Sequence, residues 1–466
     1  MDRKSVFTNK KIAVLGAGCA GLAAALSLAR KGFKVFIFEQ DANVGGLGGG
    51  VRLNGNIYEY GPHLFHATDR KILDDIKGLA GDEMFPVDRS ILIKFYGDYF
   101  KFPLSILDVI SKLPKLTILN ASLSLFAYKV RFIFVRPKNE TSETVLLKSY
   151  GRVLYEIFFK NYIERVWGIG PCGFSPKFAR QRIAGFSAFN FLVKLISGLH
   201  KFHHKQKPVT DYVENVEGQV FSTKKGFSAI AEKMGQEIKN LGGEIFLNSR
   251  VTKLSLQSGR FKAEINSKLN GTIFDGAINT MPINYLAKIF DPALPEDTRK
   301  CAERLKFRAI VFVGLLVNKE RVLPASILYF RESCFNRVTD LSYFGFEIFP
   351  AGSTLLVAEL ACDKSERFWN DDLYSRNTVI EELIKEGLIS AHEVKESHVF
   401  RNEYAYPVYS LGFEEDLKKV LDAFNSFKNL RSAGRQGLFN YVNIHVAIKT
   451  AYEAAQTLEN YFTDGR

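Results

Sequence analysis

Cysteine is scarce and scattered: Cys19, Cys172, Cys301, Cys334 and Cys362 include no Cys-x-x-Cys pair. An odd number without metal-ligand spacing argues against a zinc ribbon or a disulfide framework, and for reduced thiols in a cytoplasmic protein. The short basic stretch Met1–Lys11 runs straight into an apolar strand, leaving no room for a secretory signal. No run approaches about 18 apolar residues without a charge, so no membrane-spanning helix is expected. No Ser/His/Asp constellation and no metal cluster stands out, which agrees with a cofactor carrying the chemistry.

Positive charge and aromatic side chains are what the chain has in excess. Its 63 Lys and Arg against 50 Asp and Glu give a formal net charge of +13. That favours anionic partners: an acidic membrane face, nucleic acid or a phosphorylated small molecule. Nothing resembles a nucleic-acid module, so no nucleic acid is expected. Forty Phe and 19 Tyr suit a deep aromatic-lined pocket and equally suit core packing. A chain of 466 residues, 46% apolar and 24% charged, has material for two or three cores. The basic stretch 198–208, with His200, His203 and His204, reads as a surface loop.

The stretch Lys11–Glu39 reads as strand, glycine turn, helix, strand. Lys11–Leu15 is a short apolar β run, Gly16-Ala17-Gly18-Cys19-Ala20-Gly21 follows, and Leu22–Ala29 continues as helix former. Gly32 closes that helix, Lys34–Phe38 is a second buried strand, and Glu39 stands at its end. Gly16 permits the tight turn, Gly18 lets backbone approach a pyrophosphate, and Gly21 lets helix and strand pack closely. The helix start offers unpaired N–H groups to that pyrophosphate. Glu39 is placed to accept hydrogen bonds from an adenosine ribose and would repel a 2′-phosphate. The stretch therefore predicts FAD or NAD rather than NADP.

A second glycine pair, Gly45-Gly46, follows the ribose acid. This arrangement resembles the FAD flavoproteins of the glutathione-reductase type, especially their amine-oxidase branch. The resemblance implies FAD as cofactor and an α/β fold. It has a Rossmann-like FAD-binding domain, an inserted α+β substrate domain and a helical cap. On this basis 1–90, 221–290 and 426–466 belong to FAD binding, and 91–220 and 291–425 to the substrate domain. A hairpin turning at Asn54-Gly55-Asn56 delivers Gly61-Pro62-His63-Leu64-Phe65-His66. This segment resembles the UDP-galactopyranose mutases, flavoenzymes that interconvert ring forms of a nucleotide sugar. In that family the first histidine sits beside the flavin ring, which assigns His63.

The resemblance continues from Gly151 to Val166-Trp167-Gly168, where the tryptophan lines the substrate pocket, and through Arg180-Gln181-Arg182-Ile183. In the mutases an arginine at the position of Arg182 is followed by another that grips the nucleotide diphosphate, and that later position is Phe186 here. Arg337 aligns with a second substrate-side arginine, and Tyr406 lies in the Tyr-Pro segment that borders the phosphates. Gly434-Arg435 resembles the mutase turn facing the flavin. The cofactor contacts implied are Gly16, Gly18, Cys19, Ala20, Gly21, Glu39, Gln40, Gly45, Gly46, Leu47, His63, Val251, Gly434 and Arg435. The substrate-side residues implied are His63, Arg337, Arg182, Trp167 and Tyr406.

The resemblance thus implies an enzyme acting on a nucleotide-linked sugar in surface polysaccharide biosynthesis through a flavin N5 step. The alternative is an oxidoreductase of the amine-oxidase or protoporphyrinogen-oxidase type with a small or apolar substrate, which the loss of an arginine at Phe186 would fit. The apolar, basic stretch Leu104–Val135 reads as helix. It is either buried in a cap or laid on a membrane surface. Glu244–Leu254 reads as one strand, and the last helix as Asn443–Tyr461.

Overall fold

The computed structural model describes residues 9–66, 68–104, 106–135, 137–182 and 219–464. Phe186 and the three histidines of 198–208 lie outside these, and so does the side chain of Arg182, which closes the helix Pro176–Arg182.

Lys11–Leu15 (β1), Cys19–Arg30 (α1) and Lys34–Phe38 (β2) form the expected crossover. β1 lies at the centre of a five-stranded sheet in the order Glu244–Phe246, β2, β1, Gly276–Asn279, Leu430–Ser432. Every neighbouring pair is parallel. A parallel sheet is covered on both faces, so its strands are apolar throughout; Ile12, Ala13, Val14 and Leu15 are all fully buried. α1 is alanine-rich because it too is enclosed. It packs with the helices Gly226–Asn240 and Ile444–Asp464, and its residues from Cys19 to Leu26 are all buried. Gly32, at φ 92°, turns the chain out of α1.

The second large sheet has seven strands in the order Val394–Pro407, Phe307–Val317, Thr354–Cys362, Arg337–Asp340, Ile327–Phe330, Ile91–Phe95, Asp98–Lys101. Phe307–Val317 is buried on both faces. Val311, Val313, Leu315 and Val317 pack towards the helix Asp372–Lys385, while Ile310, Phe312 and Leu316 pack around Tyr58. The alternation is the two-residue period of a strand, hidden in the sequence because both faces are apolar. A helical layer, from Ile106–Lys112 to Pro176–Arg182, shares an aromatic core of Tyr150, Phe158, Trp167, Phe174 and Phe178 with the sheet edges.

Glu244–Leu254 is not one strand. Glu244–Phe246 edges the parallel sheet, Val251–Gln257 belongs to a separate four-stranded sheet, and Asn248 between them has φ 51°. Asparagine tolerates this left-handed conformation better than most residues, and the bend hands the chain from one sheet to the other. The last helix runs Ile444–Asp464. The helix Lys115–Phe134 corrects two expectations. It is long and apolar enough to cross a membrane by length and composition, which Lys115, Lys129 and Arg131 disguise by interrupting the apolar run. Nor is it buried in a cap, since Ala121 is its one buried residue.

Candidate active site

A groove of about 320 Å3 runs across the C-terminal ends of the parallel strands, where ligands of open α/β sheets bind. The glycine turn and the second glycine pair clasp each other to form its floor. Gly45 N–H donates to the Ala17 carbonyl (2.8 Å), and Gly18 bridges Gly45 in parallel register. A Cβ on Gly46 would come within 3.0 Å of Gly18 Cα, and one on Gly434 within 2.7 Å of Ala20 Cβ. The N-terminus of α1 has no side-chain cap and no acid in its first turn, so its N–H groups are free for an anion.

At one end of the groove Glu39 Oε2 accepts the Ala17 N–H (2.7 Å) and Oε1 accepts the Asp41 N–H (3.0 Å). The carboxylate braces the turn, and burial pushes its pKa upward. Gln40, Val251 and Ser249 complete this end. Cys19 lies in the wall as a thiol that donates to the Gly45 carbonyl (3.4 Å), and burial pushes it up to about 12. Gly16, Ala20, Leu47, Gly434 and Arg435 line the groove. Gly21 does not. A Cβ there would lie 2.0 Å from the Gly16 carbonyl oxygen, so this glycine serves close helix–strand packing.

At the other end His63 lines the groove with its Nδ1 buried and without a hydrogen-bond partner among the described residues. Burial, aided by Arg435 and Arg337, lowers its pKa to about 3, so the ring is neutral. Arg435 donates from Nε (3.1 Å) and Nη2 (2.7 Å) to the Val442 carbonyl, and its guanidinium lies 4.6 Å from the Tyr441 ring. An uncapped helix start, a carboxylate at the ribose end and an orphaned ring nitrogen at the far end fit an adenine dinucleotide carrying a flavin.

Beyond His63 the groove meets a second cavity of about 140 Å3, and Tyr329, Arg337, Tyr406 and Tyr441 line both. Arg337 is pinned by Glu359, Nε to Oε1 at 2.6 Å, and also donates to the Tyr329 hydroxyl (3.2 Å). Burial opposes the charge of Arg337, but the Glu359 carboxylate holds its pKa well above the ordinary value. Tyr406 donates to Glu359 Oε2 (3.2 Å), and burial, with Tyr441 and Glu359 beside it, holds the phenol protonated. Trp167 backs Tyr406 with ring centroids 5.4 Å apart and lines this chamber with Phe158, Phe159 and Tyr162. A kink at Gly151 (φ 70°) and a π turn at Glu156–Lys160 aim the two phenylalanines.

Sequence reading missed Glu359, Arg165 and Arg331. Glu359 could have been found as the one acid in the otherwise apolar strand Thr354–Cys362. Arg165 Nη2 donates to the Phe330 carbonyl (2.7 Å), and Arg331 Nη2 to the Glu156 carbonyl (3.2 Å). Nε and Nη1 of Arg165 and Nη1 of Arg331 are buried without a partner among the described residues. Their positions in the sequence carry no signal of this.

The comparisons with known proteins agree with this geometry. A family model for NAD(P)-binding Rossmann-like domains matches residues 14–78, and one for flavin containing amine oxidoreductases matches 172–458. The probable UDP-galactopyranose mutase of Klebsiella pneumoniae is 29% identical over 166 residues, 35% of this chain and 42% of that protein. The 4,4'-diapophytoene desaturase (4,4'-diapolycopene-forming) of Methylomonas sp is 25% identical over 284 residues, 54% of this chain and 50% of that one. The chain thus spans half or less of the length of these curated relatives. Among solved structures, a reduced UDP-galactopyranose mutase superimposes with a TM-score of 0.80 at 19% identity, over 97% of this chain and 94% of the other. A putative protoporphyrinogen oxidase from Exiguobacterium sp. 255-15 gives 0.72 at 16% identity, over 97% and 99%. At such identities the likeness shows the fold, a Rossmann-like domain joined to an amine-oxidase-type substrate region. The family match covers more than half of the sequence, and by it the chain belongs to the flavin containing amine oxidoreductases, enzymes whose cofactor is FAD.

Proposed function

We propose that this FAD enzyme acts on a nucleotide-linked sugar, in the manner of the UDP-galactopyranose mutases. The observation that carries the reading is an excess of guanidinium charge around an aromatic chamber. Arg337 is matched by Glu359, but Arg331, which lines the chamber, directs its hydrogen bond to a backbone carbonyl and retains an unpaired donor, as does Arg165, which lies behind the wall and lines neither cavity. Arg435 likewise bonds to carbonyls. Glu59 does not offset them at neutral pH, because burial pushes its pKa up to about 8. Glu332 lies near enough to support the charge of Arg165 and Arg331, but it forms no ion pair with either among the described residues, and a diphosphate would complete the unpaired donors through charge-assisted hydrogen bonds.

FAD, when bound, supplies the reacting flavin centre. The chain's own residues do the rest. Phe158, Phe159 and Tyr162 offer ring faces on which a nucleobase stacks. Arg337 and Tyr406, both tied to Glu359, hold the leaving diphosphate at the mouth of the groove, and Trp167 keeps Tyr406 in place. His63, neutral, donates or accepts at the flavin edge without adding charge. The arrangement acts by positioning and by fixed dipoles.

A second reading, oxidation of a small apolar substrate, is favoured by the largely apolar walls of the chamber and by Phe186 in the sequence. One experiment separates them. Flavin-loaded protein is reduced with dithionite and given UDP-galactopyranose or UDP-galactofuranose. Interconversion by the reduced protein alone supports the first reading. Bleaching of oxidised flavin by amines, porphyrinogens or free sugars in the absence of air, with no interconversion, replaces it with the second.

A further inference from the structure

The helix Lys115–Phe134 carries an apolar seam that nothing described covers. Leu116, Leu119, Leu123, Phe126, Val130 and Ile133 recur at alternating steps of three and four, which puts them on one face. They are between 36% and 72% exposed. The preceding helix, Ile106–Lys112, continues the patch with Leu107 and Ile110, also exposed. A contiguous apolar patch of this length on a folded surface marks an interaction site.

The opposite face of the helix is fastened to the body. Ala121 is buried, and Ser124 Oγ accepts the Arg152 N–H at 2.8 Å. Gly151 allows such close packing that a Cβ on it would lie 2.6 Å from the backbone nitrogen of Leu125. A helix fastened to the body through its middle turn in this way does not cross a bilayer in this fold, but it can lie in the interface plane with its seam in the acyl boundary.

The charge pattern selects among occupants. The twenty residues contain no Asp or Glu, while Lys115, Lys129 and Arg131 are exposed. Three-and-four spacing would also suit a second copy of the helix. A self-paired seam, however, needs acids to meet its flanking lysine, and this helix has none. Anionic headgroups match apolar seam and basic flanks together. We propose that this face docks the enzyme on an anionic lipid bilayer as an in-plane anchor. The inference stands apart from the substrate reading above, since no residue of the seam lines either cavity.

Flotation of the full-length, FAD-loaded protein with lipid vesicles tests it. At about one kcal/mol per basic residue, three basic residues should make binding to phosphatidylglycerol–phosphatidylcholine vesicles on the order of a hundredfold stronger than to phosphatidylcholine alone at low salt. The double variant Leu119→Ser, Phe126→Ser should lose flotation while keeping its flavin absorbance and thermal midpoint. The triple variant Lys115→Gln, Lys129→Gln, Arg131→Gln should lose the lipid-charge preference. Equal recovery with both vesicle types, or undiminished flotation of the serine variant, overturns the proposal. A dimer in detergent-free buffer that the serine variant splits assigns the face to a second copy instead. Failure to float together with a lowered thermal midpoint in the serine variant assigns it to another part of this chain.

Discussion

Arg337 and Glu359 face each other in register on adjacent strands, joined Nε to Oε1 at 2.6 Å, with Gly61 lying directly against the pair. A Cβ at Gly61 would come within 2.6 Å of Glu359 Oε1 and 3.3 Å of Arg337 Nη2, and φ there is 97°. The glycine that opens the Gly61-Pro62-His63 segment is thus required by an ion pair almost three hundred residues further on. Removing one member of a buried pair leaves the other uncompensated and costs about 3–5 kcal/mol. Glu359→Gln should therefore lower the thermal midpoint markedly, and Arg337→Met in the same chain should restore most of it. Calorimetry of the two variants checks this; no recovery in the double variant would mean the pair is not the source of the loss.

The two glycines flanking the start of α1 should fail in different ways. A Cβ on Gly18 meets nothing closer than 3.9 Å within the protein, so Gly18→Val should fold, with its side chain in the path of the pyrophosphate. Gly21→Ala drives a methyl into the Gly16 carbonyl at 2.0 Å, and should cost a few kcal/mol by overpacking. The ratio of flavin to protein absorbance, set beside the thermal midpoint, separates the two. A yellow Gly18→Val protein would refute the assignment of the groove.

His63→Ala should leave FAD bound, since the ring lies at the far end of the groove from Glu39 and the glycine turn. It should still shift the flavin reduction potential, because a neutral hydrogen-bonding group beside the ring is replaced by a methyl. Spectroelectrochemical titration reads the shift, and an unchanged potential would place His63 away from the ring.

Stability should fall on acidification. Burial holds His63 and His66 at a pKa of about 3 and His445 at about 4, below the ordinary 6.5. Between those values the unfolded chain binds more protons than the folded one, so stability rises with pH and is lost as pH falls from 6.5 towards 3. Each imidazole contributes up to about 1.4 kcal/mol per pH unit. Glu59 runs the opposite way. Burial pushes its pKa up to about 8 from 4.5, so its contribution is full below 4.5 and lost as pH rises through 8. Urea midpoints measured across pH should show both limbs. His66→Asn should flatten the acid limb and Glu59→Gln the alkaline one.

The crossover and both glycine pairs were legible because each turn there demands a particular residue, and so was the hairpin ahead of His63. The strand Phe307–Val317 hides its two-residue period, since both its faces are apolar. Glu359 is marked locally as the one acid of an apolar strand, but its partner Arg337 and the unpaired guanidiniums of Arg165 and Arg331 are set by packing between segments distant in sequence, which no local spacing encodes. The stretch Leu104–Val135 was legible as apolar, basic helix, but the exposed seam of Lys115–Phe134 was not. Exposure depends on what else packs there, and a cap helix shows the same pattern of apolar residues.

The parallel sheet draws its five strands from Lys11, Lys34, Glu244, Gly276 and Leu430 onward. The outermost strand can dock, and the Gly434 turn can close over the coenzyme bed, only once the chain has been made through Ser432 and beyond. Flavin loading is therefore expected to follow synthesis of that strand. A nascent chain stalled before Leu430 should emerge colourless however much coenzyme surrounds it.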